Sequence, residues 1–208
     1  MVVFIGREKE LAMLNQAYLK GGNSIVVLYG ISDCKSVVKQ LCSMANRYAD
    51  DLIFTVPLSF ECFTETSNVK KIGKRIYFTS GEDRELSEKE QNRYFEKVLF
   101  SVKEKAEKER IVFVVDEFDL MQKGYKTFFA DFLMKFDEFP KGQVMVLFVS
   151  SAIGWVENDM VSDMGELAKY MSLPIKLKEF TFVEMVDRFP KSTTKDCILI
   201  YGILGGVP

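Results

Sequence analysis

The sequence predicts an α/β fold, a three-layer sandwich around a mostly parallel, five-stranded core sheet. Three observations carry that expectation. Residues 24–29, 111–115 and 143–149 are nearly unbroken apolar runs, the mark of strands buried on both faces of a parallel sheet. Segments with apolar residues at helical spacing alternate with them, which puts helices on both sides of the sheet through right-handed crossovers. Polar residues able to handle phosphate or metal follow the runs directly, at the strand ends where such sheets hold ligands.

Each element has its own signal. After Phe4-Ile5-Gly6-Arg7-Glu8-Lys9-Glu10-Leu11, the recurrence of Leu11, Leu14, Ala17 and Tyr18 predicts a helix, closed by Gly21-Gly22-Asn23. The strand over 24–29 leads into a loop, and a helix over 36–48 turns Val37, Val38, Leu41 and Met44 or Ala45 inward. Residues 52–58 read as the next strand. From 60 to 110 the pattern is less regular. There Lys70, Lys71, Lys74 and Arg75 read as a solvated helix face, contact with nucleotide or nucleic acid being the functional alternative.

Ser87 with Glu90 resembles a capping box, and Tyr94, Val98, Phe100 or Ser101, Val102 and Lys105 carry a long helix up to Arg110. The strand over 111–115 follows. Residues 125–139 then form an amphipathic helix with Phe128, Phe129, Phe132, Leu133 and Phe136 on its packed side, broken by Pro140-Lys141-Gly142. The strand over 143–149 ends in Ser150-Ser151. A segment with the only tryptophan, Trp155, leads to a strand at 171–177, and helices around 181–188 and 193–201 come after it.

Bulk properties narrow the function. A chain of 208 residues can bury one good α/β core. Its net charge of -2 supplies no general attraction toward nucleic acid or anionic membranes. No apolar run reaches the ~20 residues of a membrane span and the N-terminus carries no signal segment, so a cytoplasmic location is expected. Cys34, Cys42, Cys62 and Cys197 show no CxxC spacing and the chain has no histidine, so reduced thiols are expected and zinc is not. Without histidine, chemistry must rest on carboxylates, lysines, hydroxyls and a bound metal.

Two polar tips carry the chemistry, Gly30-Ile31-Ser32-Asp33-Cys34-Lys35-Ser36 and Asp116-Glu117. A phosphate loop reads G-x-x-x-x-G-K-[ST]: backbone amides converge on the phosphates, the lysine reaches the terminal ones and the hydroxyl binds magnesium. Here the loop is one residue shorter and Cys34 stands where the second glycine belongs, a degenerate version of the motif. Asp33 adds a carboxylate. A charge pair at about 4 Å is worth ~1 kcal/mol in water and ~4 kcal/mol at an intermediate dielectric, so Asp33 offsets much of Lys35 if it points inward and little if it points outward.

On these residues the chain resembles the prokaryotic, archaeal-type ATPase family of the AAA+ and STAND P-loop NTPases. The resemblance covers nearly the whole chain. Residues 4–11 are similar to the family's opening box, Val27-Leu28-Tyr29-Gly30 to its first core strand, Val114-Val115-Asp116-Glu117-Phe118 to its Walker B motif, and residues 201–208 to the start of its helical lid. It implies a P-loop ATPase-like domain over 1–190 and the beginning of a lid over 191–208. In the family a winged-helix region and a C-terminal domain normally follow, so an N-terminal domain of a longer protein is expected.

The resemblance also implies ATP and Mg2+ as cofactors. Phe4, Ile5 and Gly6 would lie near the adenine, Gly30 and Lys35 at the phosphates, and Ser36 and Asp116 on magnesium. Glu117 would polarise the attacking water, and Ser150 or Ser151 would sense the γ-phosphate, giving Glu117, Lys35 and Ser150 the catalytic roles. No arginine lies between Arg110 and Arg188 to serve as the family's charge-stabilising arginine. Lys169 is the nearest substitute, so hydrolysis by the domain alone is expected to be slow. The expected function is a nucleotide switch with weak or partner-dependent hydrolysis; the alternative is a pseudo-ATPase scaffold that binds no nucleotide. Expected partners are nucleotide and a protein partner or the C-terminal domains of the parent chain, with nucleic acid not supported by these residues and no membrane.

Overall fold

The computed structural model describes residues 7–30, 52–56, 68–72, 75–79, 88–108, 110–115, 118–119 and 128–206. Along them run α1 (Glu8–Leu19), β1 (Ser24–Gly30), β2 (Leu52–Val56), β3 (Asn68–Ile72), β4 (Arg75–Thr79), α2 (Glu88–Ala106), β5 (Ile111–Val115), α3 (Phe128–Phe136) and β6 (Val144–Ser150). Two short helices, α4 (Ile153–Asn158) and α5 (Met160–Met164), and a 3-10 turn (Gly165–Tyr170) lead to β7 (Met171–Leu177), α6 (Phe182–Arg188) and α7 (Thr194–Leu204).

The strands form one sheet in the order β3-β4-β2-β5-β6-β1-β7. Every pairing is parallel except that of β3 with β4. The predicted core is β7-β1-β6-β5-β2, all parallel, and β4 and β3 extend it by two strands. β1, β5 and β6 are buried at every position, which explains why they read as continuous apolar runs. β7 is an edge strand, and this tolerates Pro174, which lacks an N–H for a second neighbour.

Alternation along the strands splits the core in two. Ile25, Val27, Phe113, Val115, Val146 and Phe148 face α2, α3 and α4. Val26, Leu28, Val112, Val114, Leu147 and Val149 face α1, where Leu14 packs with Met13, Ala17 and Tyr18. The aromatic face of α3 is core, as its spacing predicts. The Phe132 ring lies 5.4 Å from that of Phe148 and 5.9 Å from that of Phe136, and all three are fully buried.

Several expectations are corrected. Lys70, Lys71 and Arg75 do not lie on a helix: they belong to an antiparallel hairpin, where short strands with few apolar residues give a weak period-2 signal. Phe100 is 62% exposed, and α2 packs through Val98, Leu99, Val102 and Ala106. Asn23 does more than follow a helix end. Its side-chain oxygen accepts from the backbone N–H groups of Gln143 and Val144, both at 3.2 Å, and its amide donates to the Phe139 carbonyl at 3.3 Å. It thereby ties the entry of β1 to that of β6. The helix over 36–48, the Ser87 cap and the strand continuation over 57–58 lie outside the described residues.

Removing the Phe132 ring should cost about 3–5 kcal/mol, because nothing at the centre of α3 can collapse into the space. Phe100→Ala should change stability by no more than about 0.5 kcal/mol. Urea unfolding midpoints of the two variants check the difference, and equal losses would contradict the assigned packing.

Candidate functional site

Because the five core strands are parallel, their carboxyl ends share one edge. Tyr29 is in register with Ser150 on one side and Lys176 on the other, and Gly30 is level with Leu177. β5 reaches that edge at Val115, level with Phe148, which lies two residues before Ser150 on β6. Gly30 and Ser150 are thus brought together as expected. Phe4, Ile5, Gly6, Lys35, Ser36, Asp116 and Glu117 lie outside the described residues.

Gly30 has a packing reason to be glycine. A Cβ there would sit 2.5 Å from the Leu177 carbonyl oxygen and 2.8 Å from the Leu177 Cβ. Ser150 is buried, and its hydroxyl donates to Asp119 Oδ1 at 2.6 Å while accepting from the Ala152 N–H at 3.0 Å. Asp119, three positions after Asp116 in the sequence, is itself only 6% exposed. This pair joins the end of β6 to the segment after β5. Ring stacking at the same joint reinforces it, with Phe118 4.7 Å from Phe148 and 5.2 Å from Trp155.

Two further groups were not legible in the sequence. Arg7 enters the edge from the start of α1, 3% exposed. Its guanidinium lies 4.7 Å from the centre of the Phe180 ring and donates to Glu10 Oε1 at 3.3 Å. Its Nε and Nη2 have no partner among the described residues. Orphaned donors on a buried cation are costly, and they fit an acceptor-rich, anionic ligand such as a nucleotide. Phe180 in turn holds the end of α7, its N–H donating to the Gly206 carbonyl at 2.8 Å. Gly206 has φ +78, and a Cβ on it would meet the Phe180 carbonyl oxygen at 2.3 Å. The segment read as the start of a lid therefore docks beside Arg7.

The second group is ionic. Glu157 on α4 accepts from Lys176 at 2.7 Å and from the Tyr29 hydroxyl at 3.3 Å. The Lys176 hydrogen bond holds the Glu157 carboxyl below the usual carboxylate range, and Glu157 in turn raises Lys176. Burial and then the Glu157 charge push the Tyr29 hydroxyl up. Lys169, by contrast, sits just before β7 at the opposite edge, its ammonium 4.9 Å from the centre of the Tyr170 ring. Among the described residues the lysine at the carboxyl edge in this group is Lys176, level with Tyr29. Among the described residues no three acidic, cysteine or histidine side chains gather as a metal site, and Cys197 is buried and reduced. No described helix is long and apolar enough to cross a membrane.

Residues 4–208 match the family described as an ATPase domain predominantly from Archaea. No curated protein matches the chain. Among solved structures, the Aeropyrum pernix ORC2 protein in its ADPNP-ADP complexes is similar with a TM-score of 0.52 at 15% identity, over 88% of this chain and 52% of that one. The Aeropyrum pernix ORC1 protein in complex with DNA gives 0.52 at 18% identity, over 91% and 50%. Cdc6p from Pyrobaculum aerophilum gives 0.51 at 14%, over 97% and 50%. At these identities the likeness is one of fold, and the chain spans about half the length of each.

Gly206→Ala should cost about 1–3 kcal/mol through its backbone conformation alone. It should also release the tail, read as faster hydrogen exchange at the Phe180 amide. Unchanged protection there would show that the tail is held by something else. For Glu157 the folded value is the lower one, so its contribution is present above about pH 4.3 and is lost as the pH falls through the folded value. The gap in urea midpoint between the native chain and Glu157→Gln should narrow from about pH 6 to about pH 3. A gap independent of pH would remove the ion pair from the account.

Proposed function

The chain belongs to the family of ATPase domains found predominantly in Archaea, and from that premise we propose that it binds ATP at the carboxyl edge of its sheet and works as a nucleotide switch of the AAA+ and STAND type, with slow or partner-assisted hydrolysis. The observation that carries the reading is the convergence of Gly30, Ser150 and the end of β5 on one edge, with the unsatisfied donors of Arg7 beside it.

In this reading Lys35 and the amides after Gly30 hold the phosphates, and Phe4, Ile5 and Gly6, with Arg7 next to them, hold the base. Ser36 and Asp116 would hold magnesium, which when bound neutralises phosphate charge. Glu117 orients and polarises the attacking water. Ser150 already donates its hydroxyl proton to Asp119, so answering a γ-phosphate means exchanging one acceptor for another. That exchange would couple nucleotide state to the Phe118-Trp155 joint and α4. The absence of arginine from 111 to 187 leaves the transition-state charge without a planar fork, and an arginine supplied by a partner is worth ~10³–10⁵ in rate. A second reading, a scaffold that binds no nucleotide, is favoured by the shortened loop and by Asp33.

Titration calorimetry with ATP and with ADP, with and without magnesium, separates the two. Binding that Lys35→Ala abolishes without lowering the melting temperature is the expected result. A native chain that releases no heat with either nucleotide would leave the scaffold reading standing.

A further inference from the structure

The first turn of a helix carries N–H groups with no acceptor inside the helix, together with the positive end of its dipole, and both favour an anion. α1 starts at the carboxyl edge. Its N-cap is Arg7, which stacks on Phe180, three residues beyond the Leu177 that is level with Gly30. The Arg7 side chain makes no capping bond. A helix start by itself is no site, since water satisfies it equally, but here a buried side chain asks for the same kind of ligand.

That side chain is Arg7 itself, 3% exposed. Its Nη1 donates to Glu10 at 3.3 Å and its Cζ lies 4.7 Å from the centre of the Phe180 ring, so the guanidinium plane is fixed by two contacts. The nitrogens without a partner, Nε and Nη2, are the pair whose N–H bonds run side by side along one edge of the group. Glu10, its one ion-pair partner among the described residues, is met through Nη1, so that edge stays unused. Two acceptor atoms set side by side match it, as in a carboxylate or a phosphoryl group. Adenine matches it poorly. Its major-groove edge sets N7 beside the N6 amino group, so one N–H of Arg7 would face another donor.

We propose that the free edge of the Arg7 guanidinium and the first turn of α1 form an oxyanion site that takes a phosphoryl group, separate from the phosphate loop after Gly30. The two features are independent, one belonging to a side chain and the other to the backbone, and both favour negative charge. A phosphoryl group fits them better than a carboxylate does. Two of its oxygens meet the Arg7 edge and a third remains for the N–H groups of the helix start, which a carboxylate cannot supply. The site goes beyond the nucleotide reading, which assigns the phosphates to Lys35 and the amides after Gly30, and it does not require that loop to be competent. Its phosphoryl group can belong to a nucleotide or to free phosphate.

Inorganic phosphate, ADP and adenosine are the probes, each titrated at constant ionic strength against the isotope-labelled native chain, with the Arg7 Nε–H resonance as the readout. Inorganic phosphate or ADP should move that resonance to saturation. Arg7→Lys keeps the charge and removes the paired edge, so the dissociation constant of the probe that moves it should rise about 10- to 150-fold. Movement with ADP and not with adenosine gives the phosphoryl group to a nucleotide, and movement with inorganic phosphate alone gives it to free phosphate; either supports the site. A resonance indifferent to both phosphate and ADP would overturn it, as would equal responses to adenosine and ADP, or an affinity unaltered in Arg7→Lys. The native resonance decides the matter even if that variant does not fold. Phosphate bound at Arg7 by a chain that gives no heat with ATP or ADP would remove the nucleotide reading and leave this site standing.

Discussion

The structure depends on the burial of β1. It is covered on both faces and flanked by β6 and β7, so each of its backbone groups and side chains has a fixed neighbour. Such a strand tolerates neither a charged residue nor a shift in register, since a slip by one position would exchange its two apolar faces. The contact of Gly30 with Leu177 is the sharpest expression of this. The last residue of β1 runs so close to the end of β7 that only the absence of a side chain lets the two strands finish at the same height.

The described polar groups at the carboxyl edge are set out against that strand. Ser150 is held level with Tyr29, and its bond to Asp119 satisfies two buried groups that would otherwise each cost about 1–3 kcal/mol. Glu157 joins α4 to both Tyr29 and Lys176, binding the helix that follows β6 to the two strands beyond it. Among the described residues of this edge, Arg7 is buried with two guanidinium nitrogens that have no partner. An acceptor-rich ligand would satisfy them. In the switch we propose, ligand acceptors would meet those nitrogens and Ser150 would change partner. Both groups stand on rigid elements, which suits them to report a small change at the phosphates across the domain.

The sequence alone determined the fold class and most of the core. Runs such as Ile111–Val115 can only be strands buried on two faces, and the Phe129, Phe132 and Phe136 spacing can only bury a ring layer on a helix, so composition and period suffice there. It also named Gly30 and Ser150 correctly as residues of one edge. What it could not determine were contacts between residues far apart in the chain. Asp119 with Ser150, Arg7 with Phe180, Glu157 with Lys176 and Tyr29, and Phe180 with Gly206 are each made by side chains or backbone groups whose local patterns are ordinary. The antiparallel pairing of β3 with β4, and their place at the far side of β2, were equally beyond reach, because strand order is set by the whole sheet and no local window of sequence contains it.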